Sequence, residues 1–239
     1  MQNIDKLQEL KKQALDLMEK AGYPLTVALD VQLDPQLHFM GYTIEKEGKQ
    51  IIVVSGMALD GGALNLLIHE MSHVYRIQSG HPSHDSQLLT AITAWVMHGR
   101  VVEPYQEKIL HGILNIIQDI YADDISFKIF DKHEGLNEFF MSWIRKSVRP
   151  KTSKEKWENA ENLLSAAFAQ GNLERHKVPD TEDKVQKAID KFLSENEKSV
   201  AEKYEFFKQF MVDLPEKVTE KEFEKLLISY LSEFLKLTK

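Results

Sequence analysis

Two rhythms of apolar and polar positions run along this chain. In NIDKLQELKKQALDLMEKA, residues 3–21, apolar side chains return every three or four positions, which predicts an amphipathic helix ended by Gly22. LTVALDVQL (25–33), HFMGYTIEK (38–46) and QIIVVSG (50–56) are rich in β-branched and aromatic residues instead. They predict three strands, with a hairpin turn at Glu47-Gly48-Lys49. Gly61-Gly62 breaks the chain, and a helix is expected from about Ala63 to Ser79, with Gly80 as its stop. SQLLTAITAWVMH (86–98) reads as another helix, capped by Ser83 or Asp85 and ended by Gly99. Pro104 suits the first turn of a long, nearly all-apolar helix reaching Phe130. A further helical segment is expected at about 134–147. The pattern is α+β and helix-dominant: a small, mostly antiparallel N-terminal sheet followed by many helices.

From Arg149-Pro150-Lys151 onward the chain becomes more charged and more plainly amphipathic. This predicts a core over 1–150 and a helical C-terminal subdomain over 151–239. Thr152 with Glu155, and Thr219 with Glu222, have capping-box spacing. Gly171, Pro179 and Pro215 punctuate three or four helices.

Composition narrows the chemistry. The chain has 239 residues and a net charge of -7. That balance argues against nucleic acid and against an anionic membrane surface as partners. Absence of cysteine excludes disulfides and thiolate metal sites, so a zinc ion would need His, Asp or Glu. The first helix lacks the apolar core of a signal peptide, and no apolar run approaches a membrane span. The expectation is a soluble, cytoplasmic protein.

The histidines change the picture most. LLIHEMSHVYRIQSGHPSH, residues 66–84, holds four of the nine, and within it His69-Glu70-Met71-Ser72-His73 is His-Glu-x-x-His. Residues four apart share a helix face, so His69 and His73 can aim two imidazoles at one ion. Glu70 stands beside them, where a carboxylate takes a proton from zinc-activated water and passes it to the leaving amine. Leu64, Leu67, Ile68 and Met71 give the same helix an apolar face. Two histidines and a glutamate amid such burial are costly unless paired or liganded. The bland alternative is buried histidines satisfied by hydrogen bonds alone.

A catalytic zinc takes a third protein ligand and keeps one position open. His81 and His84 are candidates. The metzincin pattern fails, because Arg76 and Ser79 stand where it needs Gly and His. The long helix offers carboxylates: His111, Asn115, Gln118, Asp119, Ala122, Asp123 and Ser126 form one non-apolar stripe. Asp119 and Asp123 both stand on that stripe as candidate third ligands, with His81 and His84 left open. Asp123 would orient His69 or His73.

A His-Glu-x-x-His helix followed by Asp119-Ile120-Tyr121-Ala122-Asp123 resembles the zincin metallopeptidases of gluzincin type, including the membrane CAAX-prenyl and heat-shock peptidases. Their second helix reads Glu-x-x-Ala-Asp. The resemblance implies a third ligand at position 119 and an orienting carboxylate at Asp123. Here the family's Glu is replaced by Asp119, whose shorter stem needs a closer approach of the helices, which Ala122 permits. The resemblance covers roughly residues 50–130. The membrane spans are missing, so the chain looks more like a compact, soluble, archaeal-like zincin.

The function these features predict is zinc-dependent hydrolysis of a peptide or unfolded protein segment, with Glu70 as general base and acid. The rival is a non-catalytic helical interaction or regulatory protein with a structural or vestigial zinc. Hydrolysis of a non-peptide amide is a second enzymatic rival. Tyr75, Tyr121, His133 and Arg145 are candidate oxyanion donors. QIIVVSG or HFMGYTIEK is a candidate edge strand for substrate. The aromatic cluster Tyr204, Phe206, Phe207 and Phe210 reads as helix packing or as a homodimer face.

Overall fold

The computed structural model describes residues 2–132, 148, 153–196 and 198–239. The segment expected to be helical at 134–147, with His133 and Arg145, lies outside them, as do Arg149-Pro150-Lys151 and Thr152. Compactness divides the chain into two units. One holds Met1–His81 and the end of the long helix from Tyr121; the other holds Pro82–Ile120 and the helices after residue 153. The units are interleaved along the chain, whereas the sequence suggested a division near 150.

In the first unit, α1 (Gln2–Lys20) buries Leu7, Ala14, Leu17 and Met18 on one stripe. Gly22, at φ +90, ends it. Lys11 donates to the Leu29 carbonyl of β1 and Lys6 to the Leu59 carbonyl just after the sheet, at 2.7 Å each.

The strands are β1 (Leu29–Asp34), β2 (Gly41–Lys46) and β3 (Lys49–Ser55). Their order is β1-β3-β2. Glu47 and Gly48 have φ of +53 and +74, the paired positive values of a tight hairpin turn. The β2–β3 pair is antiparallel, as expected. The β1–β3 pair is parallel, with Val31 opposite Ile52, so the sheet is mixed and not mostly antiparallel. The reason lies in β3. Ile51, Ile52, Val53 and Val54 are all buried, the unbroken apolar run of a strand flanked on both edges and covered on both faces. Such a run accepts neighbours of either direction.

After α2 (Gly56–Leu59), α3 (Ala63–Gln78) carries the His-Glu-x-x-His residues. Leu67, Ile68, Met71 and Val74 are fully buried along it. Gly80, at φ +66, closes the helix as predicted.

The second unit begins with a 3-10 turn, Pro82–His84, and α4 (Ser86–Val96). Asp85 is the cap: its carboxylate accepts from the amides of Gln87 and Leu88. The long helix α5 (Pro104–Phe130) starts on its proline and runs through the boundary between the units without interruption. Then come α6 (Lys156–His176), a 3-10 turn at Thr181–Asp183, α7 (Lys184–Ser194), α8 (Lys198–Asp213) and α9 (Glu220–Leu237). Glu155 stands at the start of α6, and Thr219 with Glu222 makes the predicted capping box at the start of α9.

Gly171 does not punctuate the helices; it lies inside α6. A Cβ there would stand 3.0 Å from the Lys208 carbonyl oxygen and 3.2 Å from Met211 Cβ. The glycine lets α8 lie close against α6, which local sequence reading mistakes for a break. In the aromatic cluster, Tyr204 and Phe207 are buried, Phe210 stacks on Tyr230 of α9, and Phe206 is exposed. Tyr230 donates to the Ile113 carbonyl at 3.1 Å, fastening α9 to α5.

Among the described residues, no helix is long and apolar enough to cross a membrane.

Candidate metal centre

The four-residue spacing on α3 does what helix geometry requires. His69 and His73 lie one turn apart, and their Nε2 atoms approach to 3.1 Å with ring planes 87° apart. His69 is buried and His73 half-buried. Asp119 of α5 joins them: one potential ligand atom from each of the three residues lies within 4.8 Å of the other two. Among the described residues, this is the group of His and acidic side chains close enough to share an ion.

Asp123, one turn further along α5, is fully buried. Its Oδ1 accepts from His69 Nδ1 at 2.9 Å. A carboxylate at that distance accepts a hydrogen bond from Nδ1–H, which leaves the lone pair on Nε2, the atom facing His73. The close approach of α5 to α3 is built from small side chains. Ala122 is fully buried, and Ser72 Oγ lies 3.2 Å from Ser126 Oγ.

Two imidazoles and one carboxylate are a donor set that could hold zinc. Around a tetrahedral zinc with bonds of about 2.0 Å, ligand atoms stand about 3.3 Å apart. The 3.1 Å between the imidazole nitrogens matches that spacing.

Glu70 is buried, and its Oε2 accepts from Thr43 Oγ1 of β2 at 2.7 Å. Thr43 was not anticipated. The link depends on a close strand–helix approach made two residues earlier. A Cβ on Gly41 would stand 2.5 Å from the Val53 carbonyl oxygen and 2.8 Å from Leu66 Cδ2 of α3. Gly41 and Thr43 share one face of β2, so the glycine admits α3 where the threonine reaches it. A glycine inside a strand pattern was the available signal for close approach.

Arg76 is the other unforeseen participant. It is buried on α3, donates from Nε to the Tyr121 carbonyl at 2.9 Å, and lies 3.8 Å from the Asp124 carboxylate. Its guanidinium sits 5.9 Å from the Tyr121 ring centre. A buried carboxylate thereby gains a cation.

The remaining candidates fall elsewhere. His81 packs against the Tyr121 ring at 4.5 Å between centres, and His84 Nδ1 lies 2.8 Å from Ser83 Oγ. Neither belongs to the three-residue group. Tyr75 packs edge-on against Tyr23, at 5.1 Å. QIIVVSG forms the central strand, so both its edges are already paired; HFMGYTIEK contributes β2, an edge strand among the described residues.

Neither the curated proteins nor the solved structures hold a match to this chain. Residues 12–236, which include both the histidine-bearing and the aspartate-bearing helix, match the family described as a family of unknown function, DUF5781, and the chain belongs to that family.

Proposed function

We propose that this protein is a zinc-dependent metallopeptidase in which His69, His73 and Asp119 hold the ion and Glu70 moves the proton. One observation carries the reading: two imidazole nitrogens 3.1 Å apart converge with a carboxylate, beside a buried glutamate that none of the three needs as a partner. A structural zinc is normally closed by four protein ligands, and among the described residues this group has three.

Zinc bound there would supply a Lewis acid that acidifies water and polarises the scissile carbonyl. The protein's own groups do the rest. Glu70 takes a proton from the attacking water as its oxygen bonds to the carbonyl carbon. It returns that proton to the nitrogen as the C–N bond breaks, so the carboxylate is regenerated. Thr43 occupies Oε2 and leaves the transfer to Oε1. Asp123 holds His69 in the tautomer whose Nε2 can ligate. The substrate is a peptide or an unfolded segment.

Elemental analysis of purified wild-type protein, Asp119→Ala and His84→Ala tests the ligand set. The expected result is one zinc per chain, lost with Asp119 and kept without His84. Zinc that depends on both residues would point to a closed structural ion. Glu70→Gln should keep the zinc and lose hydrolysis of a peptide library by roughly a thousandfold or more. Activity surviving in that variant would refute the mechanism.

A further inference from the structure

The second unit contains a groove of about 450 Å³ between α4 and α5, the size of a ligand site. Its lining repeats every four residues on both helices. Leu89 of α4 and Met97 at its C-terminal cap, with Leu110 and Leu114 from α5, are buried and form an apolar floor. The α5 rim is polar and exposed: Glu107, His111 and Asn115. The α4 rim is small, with Thr90 and Ala94 exposed.

Two polar groups interrupt the floor. Thr93 Oγ1 is buried in the α4 wall without a hydrogen-bond partner, and Gln118 is half-buried on the α5 side. An unpaired hydroxyl in an apolar wall is costly unless an occupant satisfies it. An aliphatic chain would leave it unpaired, and a helix offers no free backbone groups to it. An extended peptide offers both apolar side chains and backbone amides.

The α5 wall of the groove ends at Gln118, one position before Asp119. Asn115 lies one helical turn before Asp119, on the same face. Glu107, at the far end, is twelve positions from Asp119, about 18 Å along the helix axis. That length accommodates about five residues of extended chain. Glu107 also carries the formal charge of the lining, so that end favours a basic residue.

We propose that the α4–α5 groove is a recognition subsite for substrate. It takes an extended peptide with apolar side chains on the floor, backbone groups at Thr93 and Gln118, and a basic residue at Glu107, about five residues from the Asp119 end. Its purpose rests on the metallopeptidase reading; its geometry does not.

The test is fluorescence anisotropy on the full chain carrying Glu70→Gln, which prevents turnover. The probes are fluorescein-labelled eight-residue peptides of alternating Leu and Ala, with a Lys pair or a Glu pair at either end. Lys-ended peptides are expected to bind more tightly, and Glu107→Lys to reverse that preference by roughly threefold to fivefold. Ala94→Trp fills the groove from an exposed position and should weaken binding by roughly tenfold or more. Thr90→Trp repeats the block one turn away, and circular dichroism confirms that both variants fold. Peptides that fail to bind, that ignore both tryptophan blocks, or that show no charge preference overturn the proposal. His69→Ala separates the two readings. Lost hydrolysis with binding retained is expected there. A wild-type protein that binds the peptides and cleaves none would sink the metallopeptidase reading alone.

Discussion

The two halves of α5 carry the same polar stripe into opposite environments. Before Asp119, His111 and Asn115 are exposed and line a groove. After it, Ala122, Asp123 and Ser126 are fully buried against α3. Asp119 is half-buried at the transition. One helix thus offers polar groups that meet solvent and polar groups that must be satisfied within the protein. Burial decides which of them is expensive to disturb. A carboxylate at Asp123 is tolerable because His69 answers it, whereas an amide at Asn115 has water.

The sharpest way to break that comparison is to truncate one residue in each half. Asp123→Ala leaves a buried imidazole N–H without its acceptor. It should lower zinc affinity by roughly ten- to a hundredfold and stability by about 1–3 kcal/mol. Asn115→Ala should leave zinc affinity alone and shift stability by no more than about 0.5 kcal/mol. Competition with a zinc chelator and urea titration of the apo proteins measure both. Equal effects from the two variants would mean that burial does not separate the halves.

Thr43→Val probes the side of the site away from α5. It preserves β-branching and volume while removing the hydrogen bond to Glu70. Peptide hydrolysis should fall by roughly tenfold or more, since a hydrogen bond to a buried charged group is lost. Zinc content should not change, because Thr43 reaches no member of the ligand group. Zinc lost together with activity would place Thr43 in the folding of the site instead.

A solvent-exposed polar pair at the start of α9 gives a scale for Asn115. Thr219→Ala removes the cap of α9 and should cost about 1 kcal/mol. The Thr219 hydroxyl, and then its amide, hold the Glu222 carboxyl below its usual range. A carboxyl so lowered stabilises the fold above its ordinary pKa and loses that contribution as pH falls through its folded value. The gap between Thr219→Ala and wild type should therefore narrow in acid. Denaturation at about pH 7 and about pH 3 shows whether it does.

Much of this architecture is legible in one dimension. The bounds of α1, α3, α4 and α5 follow from periodicity and from Gly22, Gly80, Asp85 and Pro104. The Thr219 capping box follows from spacing alone. The meeting of His69, His73, Asp119 and Asp123 was anticipated because each pair shares a helix face, and a buried polar stripe needs a partner. By contrast, Gly171 looked like a break and is a contact point, since nothing local distinguishes the two uses of a glycine.

What the sequence determined by itself, then, is local: where helices begin and end, and which chemistry-bearing residues lie on one face of each. Hydrogen bonds between neighbours and a 3.6-residue period write those facts into adjacent positions. Tertiary structure alone decided the parallel β1–β3 pairing, the Arg76–Asp124 pair, and the reach of Thr43 to Glu70 across 27 positions. It also placed α4 and the first half of α5 in the unit with the C-terminal helices. Each joins residues far apart in the chain, where the deciding quantity is close packing of whole elements, and no short window of sequence contains it.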